Sequence, residues 1–120
     1  MEEEIWDDIP GFEEYYQVSN LGNVRGVERT IYMDSEKREY VRVVPEHIMA
    51  IQQTKGNWLL VALSKDGKGK DIVLDRIVAR VFVKNKHGFH YVKHIDGNPL
   101  NCKASNLEWV PFKPKHSSDK

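Results

Sequence analysis

Two β-prone runs on either side of a turn-rich segment dominate the C-terminal third of the chain. Residues 89–95 and residues 107–110 are rich in aromatic and β-branched side chains, which favour strands. Between them, residues 96–99 combine Asp, Gly, Asn and Pro, four residue types that favour tight turns. The segment therefore predicts two antiparallel strands joined by a turned loop, with His94 near the end of the first strand.

Further β-prone runs fill the rest of the chain. Residues 15–18 lead into a tight reversal over residues 19–23, which predicts a short hairpin. The mixed and charged residues 28–39 predict either a mobile loop or an irregular strand pair. A small antiparallel sheet is predicted from three further runs, at residues 40–44, 48–52 and 58–63.

The centre of the chain predicts a hairpin tip followed by a helix. Residues 65–70 place three lysines and two glycines around Asp66, a composition typical of a solvated turn, and residues 71–74 form a further predicted strand. Apolar residues then recur at helical spacing, which predicts a helix over residues 75–84. Asp75 is the candidate N-cap of this helix.

Length and composition limit the classes of protein that the chain can be. Its 120 residues fit one compact unit over residues 1–120. Cys102 is the sole cysteine, which excludes an intrachain disulfide and a cysteine-rich zinc site. No apolar run approaches the roughly 18 residues of a membrane span. We therefore expect a soluble, cytoplasmic protein with no membrane association.

The zero net charge hides an asymmetry along the chain. Residues 1–60 contain twelve acids and six bases, whereas residues 61–120 contain six acids and twelve bases, together with four of the five histidines. A basic half suits the phosphate backbone of nucleic acid, because cationic contacts release condensed counterions. Solvated surface charge explains the same split equally well.

Two motifs carry a resemblance to a known family. Residues 5–27 contain a tryptophan, an Ile-Pro-Gly-aromatic turn, a Tyr-Gln-Val-Ser-Asn run and a Gly-x-Val-Arg end. This pattern resembles the DNA-binding motif at the N-terminus of modular HNH homing endonucleases from phages and mobile introns. Residues 72–116 resemble their HNH domain, through residues 76–79, 92–98 and 106–110.

The resemblance implies a fold and a chemistry. The expected fold is α+β, with a small antiparallel β-rich N-terminal part and a C-terminal ββα-metal half. In that family the matched histidine, His94, acts as general base for water attacking a DNA phosphate, and imidazole suits this role because its pKa lies near working pH. Asn106 matches the asparagine that holds the loop. Magnesium or another divalent cation would stabilise the transition state.

The sequence departs from the family pattern where the metal is expected. Lys93 and Lys115 occupy the two positions that usually supply ligands, and a protonated ammonium has no free lone pair. An ammonium about 4 Å from a divalent ion would cost about 8 kcal/mol at an effective dielectric of 20. The alternative is that His116 and Asp96 supply replacement ligands. Otherwise Asp96 caps the turn and His116 is a tail residue.

The sequence is compatible with two different functions. One is metal-dependent DNA phosphodiester hydrolysis with His94 as base, in a phage-infected bacterial cell. The other is a catalytically inactive module, without a metal, that binds double-stranded DNA or a protein partner. The sequence leaves open whether the protein is an enzyme. Six basic residues are the candidate DNA contacts: Arg25, Lys65, Lys68, Lys70, Lys93 and Lys115.

Overall fold

The protein is a small α+β molecule built mostly from short antiparallel strands. A computed structural model describes residues 2–35 and 38–113. These residues form a single α-helix, α1 (Leu74–Phe82), and one 3-10 turn (Ala104–Asn106). The strands are β1 (Trp6–Asp8), β2 (Tyr16–Ser19), β3 (Val24–Gly26), β4 (Arg29–Ser35), β5 (Arg38–Val44), β6 (His47–Ile48), β7 (Ile51–Gln53), β8 (Leu59–Lys65), β9 (Lys68–Val73), β10 (Tyr91–His94) and β11 (Leu107–Val110).

The strands pair into four antiparallel sheets. The N-terminal sheet has the order β1-β2-β3-β6, and a second sheet has the order β7-β8-β9. The pairs β4–β5 and β10–β11 are two-stranded ribbons. The predicted hairpin around residues 19–23 is confirmed. The single sheet predicted from residues 40–44, 48–52 and 58–63 is confirmed only where β7 pairs with β8. It is wrong for the rest, because residues 40–44 pair with β4 and Ile48 pairs with β3, in two other sheets. Of the two interpretations of residues 28–39, the strand pair is the one found.

One hydrophobic core joins the N-terminal sheet to the C-terminal half. Val18 and Val24 from the N-terminal sheet, Val61 and Leu63 from β8, and Val78 from α1 are each at most 1% exposed. The helix contacts β2, β8, β9, β10 and β11. It therefore supports both the N-terminal sheet and the β10–β11 ribbon.

The α-helix forms because its apolar side chains share one face. Leu74, Ile77 and Val78 are buried, while Arg76 and Arg80 are exposed on the other side. The predicted helix is confirmed, although it ends at Phe82. The N-cap position belongs to Val73, with extended backbone and no side-chain cap bond, so the prediction of Asp75 as N-cap is wrong.

The hairpin of β8 and β9 reverses direction through a two-residue turn. Lys65 pairs with Lys68 across Asp66 and Gly67, whose φ angles are 55° and 78°. An Asp-Gly pair is favoured in such turns because both residues tolerate positive φ.

No helix in the described part of the chain is long and apolar enough to cross a membrane.

Candidate active site and its relatives

His94 lies at the end of β10, where the ribbon opens into a loop. Its ladder partner is Leu107 at the start of β11, and its carbonyl accepts a hydrogen bond from Gly97 N–H. Gly97 has φ of 79°, which glycine adopts without strain. The predicted arrangement of two antiparallel strands with His94 near the end of the first is confirmed. The side chain of His94 is only 8% exposed.

Asn106 ties the two ends of this loop together. Its side-chain oxygen accepts from Asp96 N–H at 3.0 Å, and its amide group donates to Asp96 Oδ1 at 3.0 Å and to the Asn101 carbonyl at 2.9 Å. Its own carbonyl accepts from Ile95 N–H at 2.8 Å. Because Asn106 is buried, these bonds are shielded from water and hold the loop beside His94.

Asp96 is an exposed residue whose carboxylate is engaged within the loop. It accepts hydrogen bonds from the Asn101 side chain, the Asn98 backbone and the Asn106 side chain, which hold its pKa below the ordinary value. Because β10 ends at His94, the alternation of side chains along a strand does not place Asp96 on the same side as His94. In the structure Asp96 organises the turn.

Both ring nitrogens of His94 face acceptors. Nδ1 lies 3.1 Å from the Asn101 carbonyl oxygen, and Nε2 lies 2.8 Å from Asp75 Oδ2. A carbonyl can only accept, so Nδ1 carries a proton. Burial by itself lowers the pKa of His94. The hydrogen bonds to Asp75 and Asn101, with the negative charges of Asp75 and Asp96, outweigh burial and raise the pKa above 6.5.

Asp75, which the sequence assigned only to helix capping, is the neighbour of His94 that sequence reasoning missed. It lies in the first turn of α1, its side chain is 8% exposed, and its Oδ1 has no hydrogen-bond partner among the described residues. A signal was available, because Asp75 precedes the buried Val78 and Ala79 by three and four residues and so lies on the buried side of the helix. A buried carboxylate needs a partner, which here is His94.

The candidate DNA contacts lie in different surroundings. Lys65, Lys68 and Lys70 share one face of the β8–β9 hairpin, since opposed residues of a ladder point to the same side. Lys65 also donates to the Gly11 carbonyl at 3.2 Å. Arg25 is held inside the N-terminal motif, where it donates to Gln17 and stacks 4.3 Å above the Trp6 ring.

The chain is similar to known proteins in both sequence and fold. Residues 4–64 match the NUMOD4 motif. The DNA endonuclease I-HmuI of Bacillus phage SP01 is 34% identical over 110 residues, which cover 90% of this chain and 53% of that protein. A solved structure showing DNA binding and cleavage by the HNH homing endonuclease I-HmuI matches with a TM-score of 0.66 over 88% of this chain and 52% of that one.

The chain belongs to the HNH homing endonuclease family. Two proteins of Acanthamoeba polyphaga mimivirus, named uncharacterized HNH endonucleases L245 and L247, are 33% and 37% identical over about nine tenths of this chain. The chain spans 27% and 24% of their lengths, and about half of I-HmuI. It therefore corresponds to only part of each of these relatives.

Lys93 and Lys115 occupy the two positions at which the sequence resemblance predicts cation ligands. Lys93 is exposed on β10 opposite Glu108, and its ammonium cannot donate a lone pair. No group of three or more His, Cys, Asp or Glu side chains that could hold a metal ion occurs within residues 2–35 and 38–113. Of the two lysines at the expected ligand positions, Lys93 therefore supplies no ligand beside His94. The candidates Lys115 and His116 lie outside the described residues.

Proposed function

We propose that this protein is a DNA-binding member of the HNH homing endonuclease family in which the hydrolytic centre is closed. The observation that carries the proposal is the contact between His94 Nε2 and Asp75 Oδ2 at 2.8 Å. A general base needs a free lone pair within reach of the water that it deprotonates. An imidazolium bonded at both nitrogens has none.

The energetics favour the closed arrangement. The His94 and Asp75 side chains are each 8% exposed, so separating them would leave an uncompensated buried charge. Breaking such a buried pair typically costs about 3–5 kcal/mol. Lys93, at an expected ligand position next to His94, adds positive charge that would repel a cation.

Binding to duplex DNA is the part of the family's activity that the surface supports. Lys65, Lys68 and Lys70 form a basic face on the β8–β9 hairpin, and residues 61–120 carry six more bases than acids. The related I-HmuI binds and cleaves DNA. Phosphate contacts from such a surface supply sequence-independent affinity.

The test combines a gel-shift assay with a plasmid-nicking assay in magnesium and in manganese. We expect the unmodified protein to shift duplex DNA at low salt and to leave supercoiled plasmid intact. Nicking that disappears in the His94→Ala protein would overturn the closed site. Failure to shift duplex DNA at low salt would favour a protein partner instead.

Hydrolysis with His94 as general base is the second candidate. The loop clamped by Asn106 favours it, since the frame that positions the histidine is complete. In this candidate Asp96 and His116 supply the cation ligands. Calorimetry with magnesium separates the two candidates, because a micromolar affinity that disappears in Asp96→Ala and His116→Ala would support hydrolysis.

Restoring variants show which residues close the site. Lys93→Asp with Lys115→Asn replaces two ammonium groups by oxygen ligands, yet leaves Nε2 bonded to Asp75. We expect this double variant to remain inactive, and the triple variant that adds Asp75→Ala to nick plasmid measurably. Equal activity of the double and triple variants would show that Asp75 does not obstruct His94.

A further inference from the structure

A cationic groove lies between the end of α1 and the β10–β11 ribbon, apart from the His94 site. One of its two cavities has a volume of about 410 Å³, within the usual range for ligand sites. Phe89, Ile95 and Trp109 supply apolar walls, and Lys84 and Lys86 supply positive charge. Neither His94 nor Asp75 lines it. Because the cavity is separate, its occupant need not take part in hydrolysis.

The groove continues past Trp109 into an adjoining cavity of about 560 Å³. The two cavities share Val83, Lys84, Asn85 and Trp109, and the second adds Arg80 and Phe82. Within the described part of the chain, no acidic side chain forms a salt bridge with Arg80, Lys84 or Lys86. Three such cations beside apolar walls favour a ligand that is both anionic and flat.

The walls of the groove are held in place before any ligand binds. The Asn85 amide group donates to the Phe89 carbonyl at 2.9 Å, and its oxygen accepts from Phe89 N–H at 2.9 Å. The indole N–H of Trp109 donates to the Val83 carbonyl at 3.1 Å. Both aromatic residues are therefore anchored through polar atoms, and both remain partly exposed where they line the groove.

The exposed rim adds a stacking surface. The rings of His87 and Phe89 lie 5.0 Å apart at an angle of 25°, and His87 is exposed. A nucleobase can extend such a stack, and base–aromatic stacking tolerates any base sequence. A base inside a duplex is already stacked on both sides and cannot enter a recess of this kind.

We propose that this groove binds single-stranded DNA, with a base against Phe89 and Trp109 and the flanking phosphates against Lys84, Lys86 and Arg80. The groove offers the two kinds of contact that a single strand needs, aromatic walls for the bases and cations for the phosphates. Glu108 is the one acidic residue lining either cavity within the described residues, so the charge balance favours an anionic strand over an apolar peptide.

The test measures fluorescence anisotropy of a labelled short oligothymidylate with the full chain. Phe89→Leu keeps an apolar side chain but removes the stacking surface, and we expect it to weaken binding by about fivefold to a hundredfold. Phe89→Tyr keeps the ring and should bind as the unmodified protein does. Lys86→Ala should lower the magnitude of the salt slope by about 0.7, the single-strand value for one phosphate. Lys55→Ala, an exposed lysine outside the groove, should change neither quantity.

Location is read from the indole N–H signals in a nitrogen–proton NMR spectrum. Oligothymidylate should shift the Trp109 signal and leave that of Trp58 in place. Equal affinity of the Phe89→Leu and Phe89→Tyr proteins, no binding at low salt, or displacement of the oligonucleotide by an apolar peptide would overturn the inference. Duplex binding is measured in parallel, so retained duplex binding with no oligothymidylate binding would remove this inference alone.

Discussion

At His94, the proposed closed site depends on a single contact. The Asn101 carbonyl accepts from Nδ1, so in this proposal only Nε2 could act as a base. Asp75 accepts there at 2.8 Å and stabilises the protonated ring. The same carboxylate therefore stabilises the fold and occupies the atom that would act as base.

Asp75→Asn should lower the pKa of His94 and should also change how the free energy of unfolding varies with pH. The pKa of His94 is raised in the folded protein, so the pair stabilises the fold fully below about pH 6.5. That contribution is lost as the pH rises through the folded-state pKa. We expect the variant to be less stable by about 2–3 kcal/mol at about pH 6, with a smaller deficit in mildly alkaline solution.

An NMR titration of the His94 ring and urea unfolding at several pH values check this prediction. Asp71→Asn is the matched control, because Asp71 is exposed on β9 just ahead of the helix. A stability deficit that stays constant with pH would contradict the role given to the ion pair.

Asn106→Ala should destabilise the protein by about 2–4 kcal/mol. The change removes three side-chain hydrogen bonds and leaves Asp96 N–H and the Asn101 carbonyl without the Asn106 amide as a partner. Urea unfolding measures the resulting decrease in stability. Ser105→Ala, at the exposed neighbouring position, should cost less than about 0.5 kcal/mol. Similar costs for both variants would mean that the Asn106 clamp is unimportant.

The β8–β9 hairpin shows how local chemistry builds an element. Asp66 and Gly67 both have positive φ, so the chain reverses in two residues and β9 lies directly beside β8. The register then places Leu63 in the core and Lys65, Lys68 and Lys70 along the same face. A short turn therefore determines where the basic side chains lie.

Gly67→Ala should destabilise the hairpin by about 1 kcal/mol, and Gly69→Ala should not. An added Cβ at Gly67 meets nothing within 4 Å, so its cost arises only from a φ of 78°. At Gly69 the nearest atom is the Leu63 carbonyl oxygen at 3.9 Å, and φ lies outside the left-handed region. Thermal unfolding of both variants provides the comparison, and equal melting temperatures would refute the turn assignment.

At the scale of the whole molecule, one core holds two electrostatically different halves together. The acidic first sixty residues supply the N-terminal sheet, and the basic remainder supplies α1 and the ribbon. Because α1 contacts β2 as well as β10 and β11, the halves cannot separate without exposing apolar surface. The proposed binding to DNA would therefore depend on local basic faces of the molecule rather than on its net charge.

The salt dependence of duplex binding tests which face is used. Lys68→Ala with Lys70→Ala should lower the magnitude of the salt slope by about 0.9 for each phosphate that the removed ammonium groups had neutralised. Lys55→Ala, an exposed lysine away from this hairpin, should leave the slope unchanged. If both proteins give the same slope, the hairpin does not touch the phosphate backbone.

Much of the local structure around the site follows from the sequence alone. The ribbon over residues 89–110 was predictable because its strand and turn preferences act between near neighbours. The helix was predictable from its apolar spacing, and the family from two motifs in order. The strand partners of residues 40–48 were not, because β-propensity identifies strands without naming their neighbours.

Only the tertiary structure decided the state of His94. Asp75 and His94 are 19 residues apart, on a helix and on a strand. Periodicity can show that Asp75 is on the buried side of α1, but not which element packs over it. The cationic groove also depends on tertiary structure, because the end of α1 and β11 line it only once the helix packs against the ribbon. The sequence determined which side chains were available, and the packing of α1 against the ribbon determined which of them met.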